Sequence, residues 1–100
     1  MLLLANAEAW PGFSHTVERL RAGDEGLPAM VSGISRVEAE PKVRSVGYGG
    51  WPNMLGVMEC DGAVMNGTTR TVGSVGAVPD TIPVCALAYE VMQRLPHVTL

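Results

Sequence analysis

The stretch Ser45-Val46-Gly47-Tyr48-Gly49-Gly50 places three glycines within six residues, and no other part of this 100-residue chain says as much about its fold. Glycine adopts positive φ angles without strain and has no Cβ, so such a stretch can turn sharply and lie close to another chain or to a ligand. An ordinary glycine-rich turn has the same composition. The stretch therefore predicts a tight turn. Whether this turn has a function has to be judged from the sequence on either side of it.

Three segments around this turn have the periodicity of amphipathic helices. The first extends from its N-cap Ser14 to Gly23, the second from Leu27 to Pro41, and the third from its N-cap Thr81 to Pro96. Glycine inside a helix costs about 1 kcal/mol relative to alanine. Gly33 in the second helix therefore predicts close packing against a neighbouring element.

Four further segments have the apolar content of β-strands, which together with the helices predicts an α+β fold. We expect a short buried strand at Met1–Ala5, strands at Leu55–Met65 and Thr71–Val78, and the start of another strand at His97. Two turn signals, Asp61-Gly62 and Asn66-Gly67, compete for the hairpin between the middle strands. Small residues in the return strand indicate either close approach by a substrate or partner, or a β-bulge.

The composition argues against nucleic-acid binding and favours a partly covered surface. Apolar residues make up 47% of the chain and charged residues 17%, compared with about 25% charged in typical domains. So little charge leaves a small solvated face, which favours burial against another chain or further residues over a poorly soluble single domain. The net charge is −3 and the Lys and Arg residues are scattered, so no phosphate-binding surface is predicted.

The cysteines and the amino terminus give little evidence for a metal, redox or membrane function. Cys60 and Cys85 have no CxxC pattern and no His at ligand spacing, so we expect buried apolar residues, no metal and no cofactor. A disulfide between them stays open, whereas their spacing argues against a redox or metal module. Met1–Ala5 lacks a basic residue and is too short for a signal peptide. We therefore expect a cytoplasmic protein without a membrane partner.

Four short runs follow one another in a characteristic order. They are Glu38-Ala39-Glu40-Pro41, Ser45-Val46-Gly47-Tyr48-Gly49-Gly50, Met65-Asn66-Gly67 and Val72-Gly73-Ser74-Val75. This order resembles the glycosylasparaginase and isoaspartyl peptidase (type 2 asparaginase) family of N-terminal nucleophile hydrolases, in its amino-terminal (α) portion. The likeness covers residues 17–100 with little need for gaps. It favours Asn66-Gly67 as the hairpin turn.

The resemblance implies an αββα sandwich to which residues 1–100 contribute part, as a single domain or an α-subunit fragment that is incomplete without a partner chain or downstream residues. It implies hydrolysis of the side-chain amide of asparagine, or of its N-glycosylated or isoaspartyl derivatives. The nucleophile would be a Thr at the amino terminus of a β chain from the same precursor, with its own α-amino group as the base. A dimer of such two-chain units is also implied.

This chain itself offers no nucleophile under that comparison. It begins Met1-Leu2, and the bulky Leu2 disfavours removal of the methionine. Thr99 follows His97 and Val98, whereas the family nucleophile follows a His-Asp pair much further along the chain. We therefore expect no catalytic residue among residues 1–100 and no activity from this chain alone.

The resemblance instead implies supporting residues. Ser45 matches the family serine near the nucleophile's amino group, where its hydroxyl would orient that amine. Gly49 and Gly50 would let the turn approach the substrate. The family carries a Trp after its first strand that packs on the substrate, and here Asn6 stands at that point with Trp10 a few residues later.

A non-catalytic relative is the alternative reading. The missing nucleophile and the displaced Trp both fit a truncated protein that keeps its sheet as a binding or assembly module. Pro79, Asp80 and Pro83 also replace the basic residues that are common before the third helix. A downstream His-Asp-Thr in the same reading frame would distinguish the two.

Overall fold

Three helices and a β-hairpin make up the regular structure of the described residues, which confirms the α+β prediction. The computed structural model describes residues 1–80 and 83–100. In chain order the elements are α1 (Trp10–Arg21), α2 (Gly26–Ala39), β1 (Glu59–Asn66), β2 (Thr71–Pro79) and α3 (Val84–Arg94), with 3-10 turns at Ala7–Ala9 and Gly47–Gly49. The predicted cap Thr81 lies outside the described residues.

Helices α1 and α2 pack through small residues. A Cβ on Gly12 would overlap the carbonyl group of Gly33, and a Cβ on Gly33 would overlap the hydroxyl of Thr16. That hydroxyl is buried and donates to the carbonyl oxygens of Gly12 and Ala29, at 3.1 and 3.4 Å. The close packing predicted from Gly33 is confirmed, and its neighbour is α1.

The core lies where α3 covers one face of the hairpin and α2 packs against α3. Its buried members are mainly β-branched or small side chains: Val31, Val64, Val75, Val84, Cys85, Ala88 and Val91. A Cβ on Gly73 of β2 would overlap the α3 backbone at Ala88. The absence of a side chain at Gly73 therefore lets α3 lie directly against the sheet.

The hairpin turns where the resemblance favoured it and contains the bulge that the sequence left open. Strand β1 ends at Asn66, whose side-chain oxygen accepts from the N–H groups of Thr68 and Thr69, at 3.0 and 3.2 Å. The antiparallel register shifts between Cys60 and Gly62. Beside this shift, Ala77 has a φ of 51°, and its N–H donates to the Asp61 carboxylate at 2.7 Å.

Residues at the end of the chain pair with β2 in parallel through an isolated bridge at Thr99, so the strand predicted from His97 is present only as this bridge. The Ser74 N–H donates to the Val98 carbonyl at 2.7 Å, and the Leu100 N–H donates to the Ser74 carbonyl at 2.9 Å. None of the helices among the described residues has the length and apolar content needed to cross a membrane.

Three boundary predictions were wrong. Met1–Ala5 is not a buried strand: it has no regular structure, and the described sheet contains no partner strand for it. Helix α1 begins at Trp10, because Pro11 suits a first helical turn, so Ser14 lies inside the helix and is not its cap. Strand β1 begins at Glu59 rather than Leu55, because a turn centred on Asn53 occupies the intervening residues.

Candidate functional site

An open cavity of about 470 Å³ lies between the end of α2, the glycine turn, β1 and the start of α3. The residues around it that matter chemically are Glu38, Ser45, Trp51, Cys60, Asp61 and Cys85. Of the predicted site residues, the structure brings Ser45 to this cavity. The described residues contain no group of three or more His, Cys, Asp or Glu side chains that could hold a metal ion.

Glu38 is a buried carboxylate in the wall of this cavity, with only 6% of its surface exposed. Its Oε2 accepts from the Val84 N–H at 2.7 Å and its Oε1 from the Cys85 N–H at 2.9 Å. Helix α2 therefore caps the amino terminus of α3 from 46 residues away. Burial raises the pKa of Glu38, and the two backbone hydrogen bonds from Cys85 and Val84 oppose that rise.

The neighbouring thiol responds to the same environment. Burial, and secondarily the negative charge of Glu38, raises the pKa of Cys85 to about 11, so its thiol is protonated at neutral pH. Cys60 is half-buried, and both cysteines are free thiols in the part of the chain that the structure describes. The disulfide that the sequence left open is therefore not formed.

Ser45 stands at the exposed end of the cavity, just before the glycine turn. Its hydroxyl donates to a carboxylate oxygen of Glu8, which lies in the 3-10 turn that precedes α1. A serine hydroxyl has one proton and two acceptor lone pairs. Because the proton is directed at Glu8, the oxygen of Ser45 retains acceptor capacity for an N–H donor in the cavity.

The glycines of the turn are explained first by contacts within the chain. Gly47 has a φ of 64°, and a Cβ on it would overlap the backbone of Glu38. A Cβ on Gly49 would overlap the carbonyl oxygens of Pro41 and Val43. The turn is therefore pressed against the end of α2, and this close packing requires glycine whether or not a substrate is present.

Comparison with known proteins identifies the family. A family model described as asparaginase matches residues 12–100. The chain belongs to the asparaginase family.

Similar proteins lie within the glycosylasparaginase and isoaspartyl peptidase branch. The chain is 36% identical over 98 residues to N(4)-(beta-N-acetylglucosaminyl)-L-asparaginase of Elizabethkingia miricola, covering 98% of this chain and 26% of that protein. It is 30% identical over 95 residues to the Rattus norvegicus protein of the same name, covering 91% and 27%. It is 32% identical over 78 residues to isoaspartyl peptidase/L-asparaginase of Mus musculus, covering 78% and 24%. This asparaginase-family chain thus spans about a quarter of the length of the curated relatives it matches.

Asn6 and Trp10 are not among the described residues that line the cavity of this asparaginase-family chain. The Asn6 carbonyl accepts from the Ala9 N–H at 3.2 Å, and Trp10 opens α1 with 57% of its surface exposed. A different exposed indole stands at the cavity, where the Arg44 guanidinium carbon lies 5.3 Å from the ring centroid of Trp51. The substrate contacts predicted for Asn6, Trp10, Gly49 and Gly50 stay predictions.

Sequence reasoning undervalued Glu38. The sequence analysis assigned it no role of its own, whereas in the structure it is buried and caps α3. The available signal was its position in α2, since Glu38 falls four residues after Ile34 and seven after Val31, on the apolar stripe of the helix. A carboxylate on such a stripe indicates a buried hydrogen-bonding partner.

Proposed function

We propose that this chain is the amino-terminal (α) portion of an amidohydrolase that cleaves the side-chain amide of asparagine or of its N-glycosylated or isoaspartyl derivatives. Support comes from the family and from the names of the relatives. The observation that carries the proposal is the position of Ser45, exposed beside the cavity with its proton directed at Glu8.

The nucleophile in this proposal is a Thr at the amino terminus of a β chain cut from the same precursor. Its hydroxyl attacks the amide carbon while its own α-amino group takes the proton. The C–N bond breaks, the amine leaves with that proton, and a β-aspartyl ester remains on the Thr. Water then hydrolyses the ester and restores the hydroxyl. Donors supplied by the β chain stabilise the oxyanion of each tetrahedral intermediate.

Ser45 holds the α-amino group of that Thr by accepting one of its N–H bonds. The hydrogen bond to Glu8 fits this role because it directs the serine proton at Glu8. A lone pair of the serine oxygen is then available to accept from the amine. The amine is a free base when it takes the proton from the nucleophile, so an oriented acceptor positions it without adding a competing proton. Ser45 therefore acts on the base, while substrate recognition belongs to other residues.

The fold proposed for the whole enzyme is an αββα sandwich, to which this chain contributes helices and part of one sheet. The uncovered face of the hairpin supports this layering, since Met65 is 61% exposed and Val72 is also exposed. Apolar side chains on a sheet face are stabilised when a second layer covers them. The β portion would supply that layer, and two such two-chain units would form the dimer.

The test uses the full-length protein that contains these residues. We expect hydrolysis of at least one amide among L-asparagine, N(4)-(beta-N-acetylglucosaminyl)-L-asparagine and an isoaspartyl dipeptide. Ser45→Ala should lower kcat roughly 10- to 100-fold, because the base loses its orientation. Ser35→Ala is the matched control, since the Ser35 hydroxyl donates to the Val31 carbonyl within α2.

Two results would contradict the proposal. Failure of the folded full-length protein to hydrolyse all three amides would favour the non-catalytic binding or assembly module. Equal kcat values for Ser45→Ala and Ser35→Ala would remove Ser45 from the reaction, even if the protein is a hydrolase.

A further inference from the structure

Glu38 is the most deeply buried carboxylate that the proposed reaction does not use. Both of its oxygens accept backbone N–H groups of α3, at 2.7 and 2.9 Å. The first N–H groups of a helix have no partner within it, and a negative charge is favoured there. One side chain of α2 therefore fixes the amino terminus of α3.

The backbone of the same residue contacts the glycine turn. The Cα, carbonyl carbon and carbonyl oxygen of Glu38 are all so close to Gly47 that a Cβ there would overlap them. Ser45 precedes Gly47 by two residues, with Val46 between them in extended conformation. The position of Ser45 is thus set relative to Glu38 over a very short length of backbone.

We propose that Glu38 is a positioning residue of the hydrolase, which holds the Ser45 turn and the start of α3 in one fixed arrangement around the cavity. This inference rests on the proposed function. Ser45, Gly47, Val84 and Cys85 all line the cavity, so a shift of Glu38 changes opposite walls together. Both oxygens of its carboxylate are engaged by α3, so the proposed role is exerted through the position of Ser45.

Only a carboxylate with the reach of glutamate satisfies this geometry. Glutamine has one acceptor oxygen, so its NH₂ group would face one of the two α3 donors and leave that N–H without a partner. Aspartate keeps the charge but is one methylene shorter. Glu38→Gln therefore removes one of the two hydrogen bonds to α3 at nearly constant side-chain volume. Glu38→Asp keeps the charge but shortens the side chain.

The positioning role makes a kinetic prediction that a general loss of stability does not. Ser45 orients the base of the nucleophile rather than the substrate, so a displaced turn lowers kcat and leaves KM nearly unchanged. In the full-length protein we expect Glu38→Gln to lower kcat roughly tenfold, because small displacements of catalytic groups are costly.

Hydrogen exchange of backbone amides supplies a readout that does not need activity. In Glu38→Gln, exchange should become faster at Val84 and Cys85 and also across Gly47–Gly50, because both are held by the same residue. Thr16→Val is the matched control: Thr16 is 5% exposed, buried like Glu38, and hydrogen-bonded to the α1 and α2 backbones. It should change neither kcat nor exchange in the turn.

Each alternative outcome has a defined meaning. Faster exchange in α3 with an unchanged turn, or an equal kcat in the Glu38→Gln and Thr16→Val proteins, overturns the proposal. If Glu38→Gln does not fold, Glu38→Asp decides, with the same two changes expected in smaller measure. If the wild-type protein hydrolyses none of the amides, the proposed function fails, and joint loosening of α3 and the turn still decides whether Glu38 couples them.

Discussion

The middle and the carboxyl end of α2 are attached to the rest of the chain by different means. Near its middle, α2 packs closely against α1 because the glycines there have no Cβ: a Cβ on Gly12 would overlap the Gly33 carbonyl. At its carboxyl end it meets α3 through a charged group, the carboxylate of Glu38. The contact at Gly12 and Gly33 is steric, whereas the contact at Glu38 depends on charge and hydrogen bonding.

This difference shows which contacts of a small fold can respond to protonation. The overlap between Gly12 and Gly33 involves no titratable group, so this steric contact does not itself change with protonation. A buried carboxylate changes its hydrogen bonding when it gains a proton. The responsive contact is the one that borders the cavity.

The largest effect is expected at the steric contact. Gly12→Ala should lower the free energy of unfolding by about 3 kcal/mol, because its new methyl group meets helix backbone that cannot move aside locally. Gly26→Ala, at the start of α2 where a Cβ meets nothing within 4 Å, should stay within about 0.5 kcal/mol of wild type. Urea unfolding measures both. Similar losses in the two variants would show that the close α1–α2 contact is absent.

A smaller loss is expected at the charged contact. Glu38→Gln should lower the free energy of unfolding by about 2 kcal/mol, because one buried α3 donor loses its acceptor. Glu40→Gln is the matched control, since the exposed bond from the Lys42 N–H to the Glu40 side chain can form with glutamine as well. Equal unfolding free energies for the two variants would contradict the cap.

The two contacts should also differ in their pH dependence. The pKa of Glu38 is raised above its ordinary 4.5 in the folded protein, so its contribution to stability is fully present below 4.5 and is lost as pH rises through the raised value. The stability advantage of wild type over Glu38→Gln should therefore be larger near about pH 4 than near about pH 7. The Gly12→Ala deficit should not vary in this range, and an equal pH dependence of both deficits would refute the contrast.

The smallest effect concerns the thiol beside the carboxylate. Cys85, with a pKa of about 11, should react with a chromophoric thiol reagent more slowly than the less buried Cys60. Glu38→Gln should lower the pKa of Cys85 only in part, because burial is the larger cause and the lost charge the smaller one. A titration of the reaction rate against pH measures this. An unchanged pKa would mean that Glu38 does not face the thiol.

Periodicity and turn chemistry were sufficient where one element decides its own structure. Helix α2 followed from its apolar spacing, and its close packing against a neighbour followed from Gly33. The hairpin turn needed the family resemblance as well, which favoured Asn66-Gly67 over Asp61-Gly62. Prediction failed where hydrogen bonds to one side chain determine the structure of the neighbouring residues. The Asn53 side chain accepts from the Leu55 and Val57 N–H groups and so delays β1, leaving Leu55 87% exposed in a segment whose apolar content suggested a strand.

The candidate site was less predictable because its parts are distant in sequence. The Ser45 turn was found from its glycines and from the family pattern. Its hydrogen bond to Glu8 spans 37 residues, and the cap from Glu38 to Cys85 spans 47, and no local pattern encodes either. A charged residue on an apolar stripe indicates that it has a hydrogen-bonding partner in the folded protein. The identity of that partner is determined only when α2 and α3 pack together.

The most direct test of the functional account is an intact mass measurement, under denaturing conditions, on the natively purified full-length protein. The account predicts two species from one precursor, one containing residues 1–100 and the other beginning with Thr at its amino terminus. A single uncut and well-folded species would contradict the two-chain hydrolase and leave a binding or assembly module as the function of this fold.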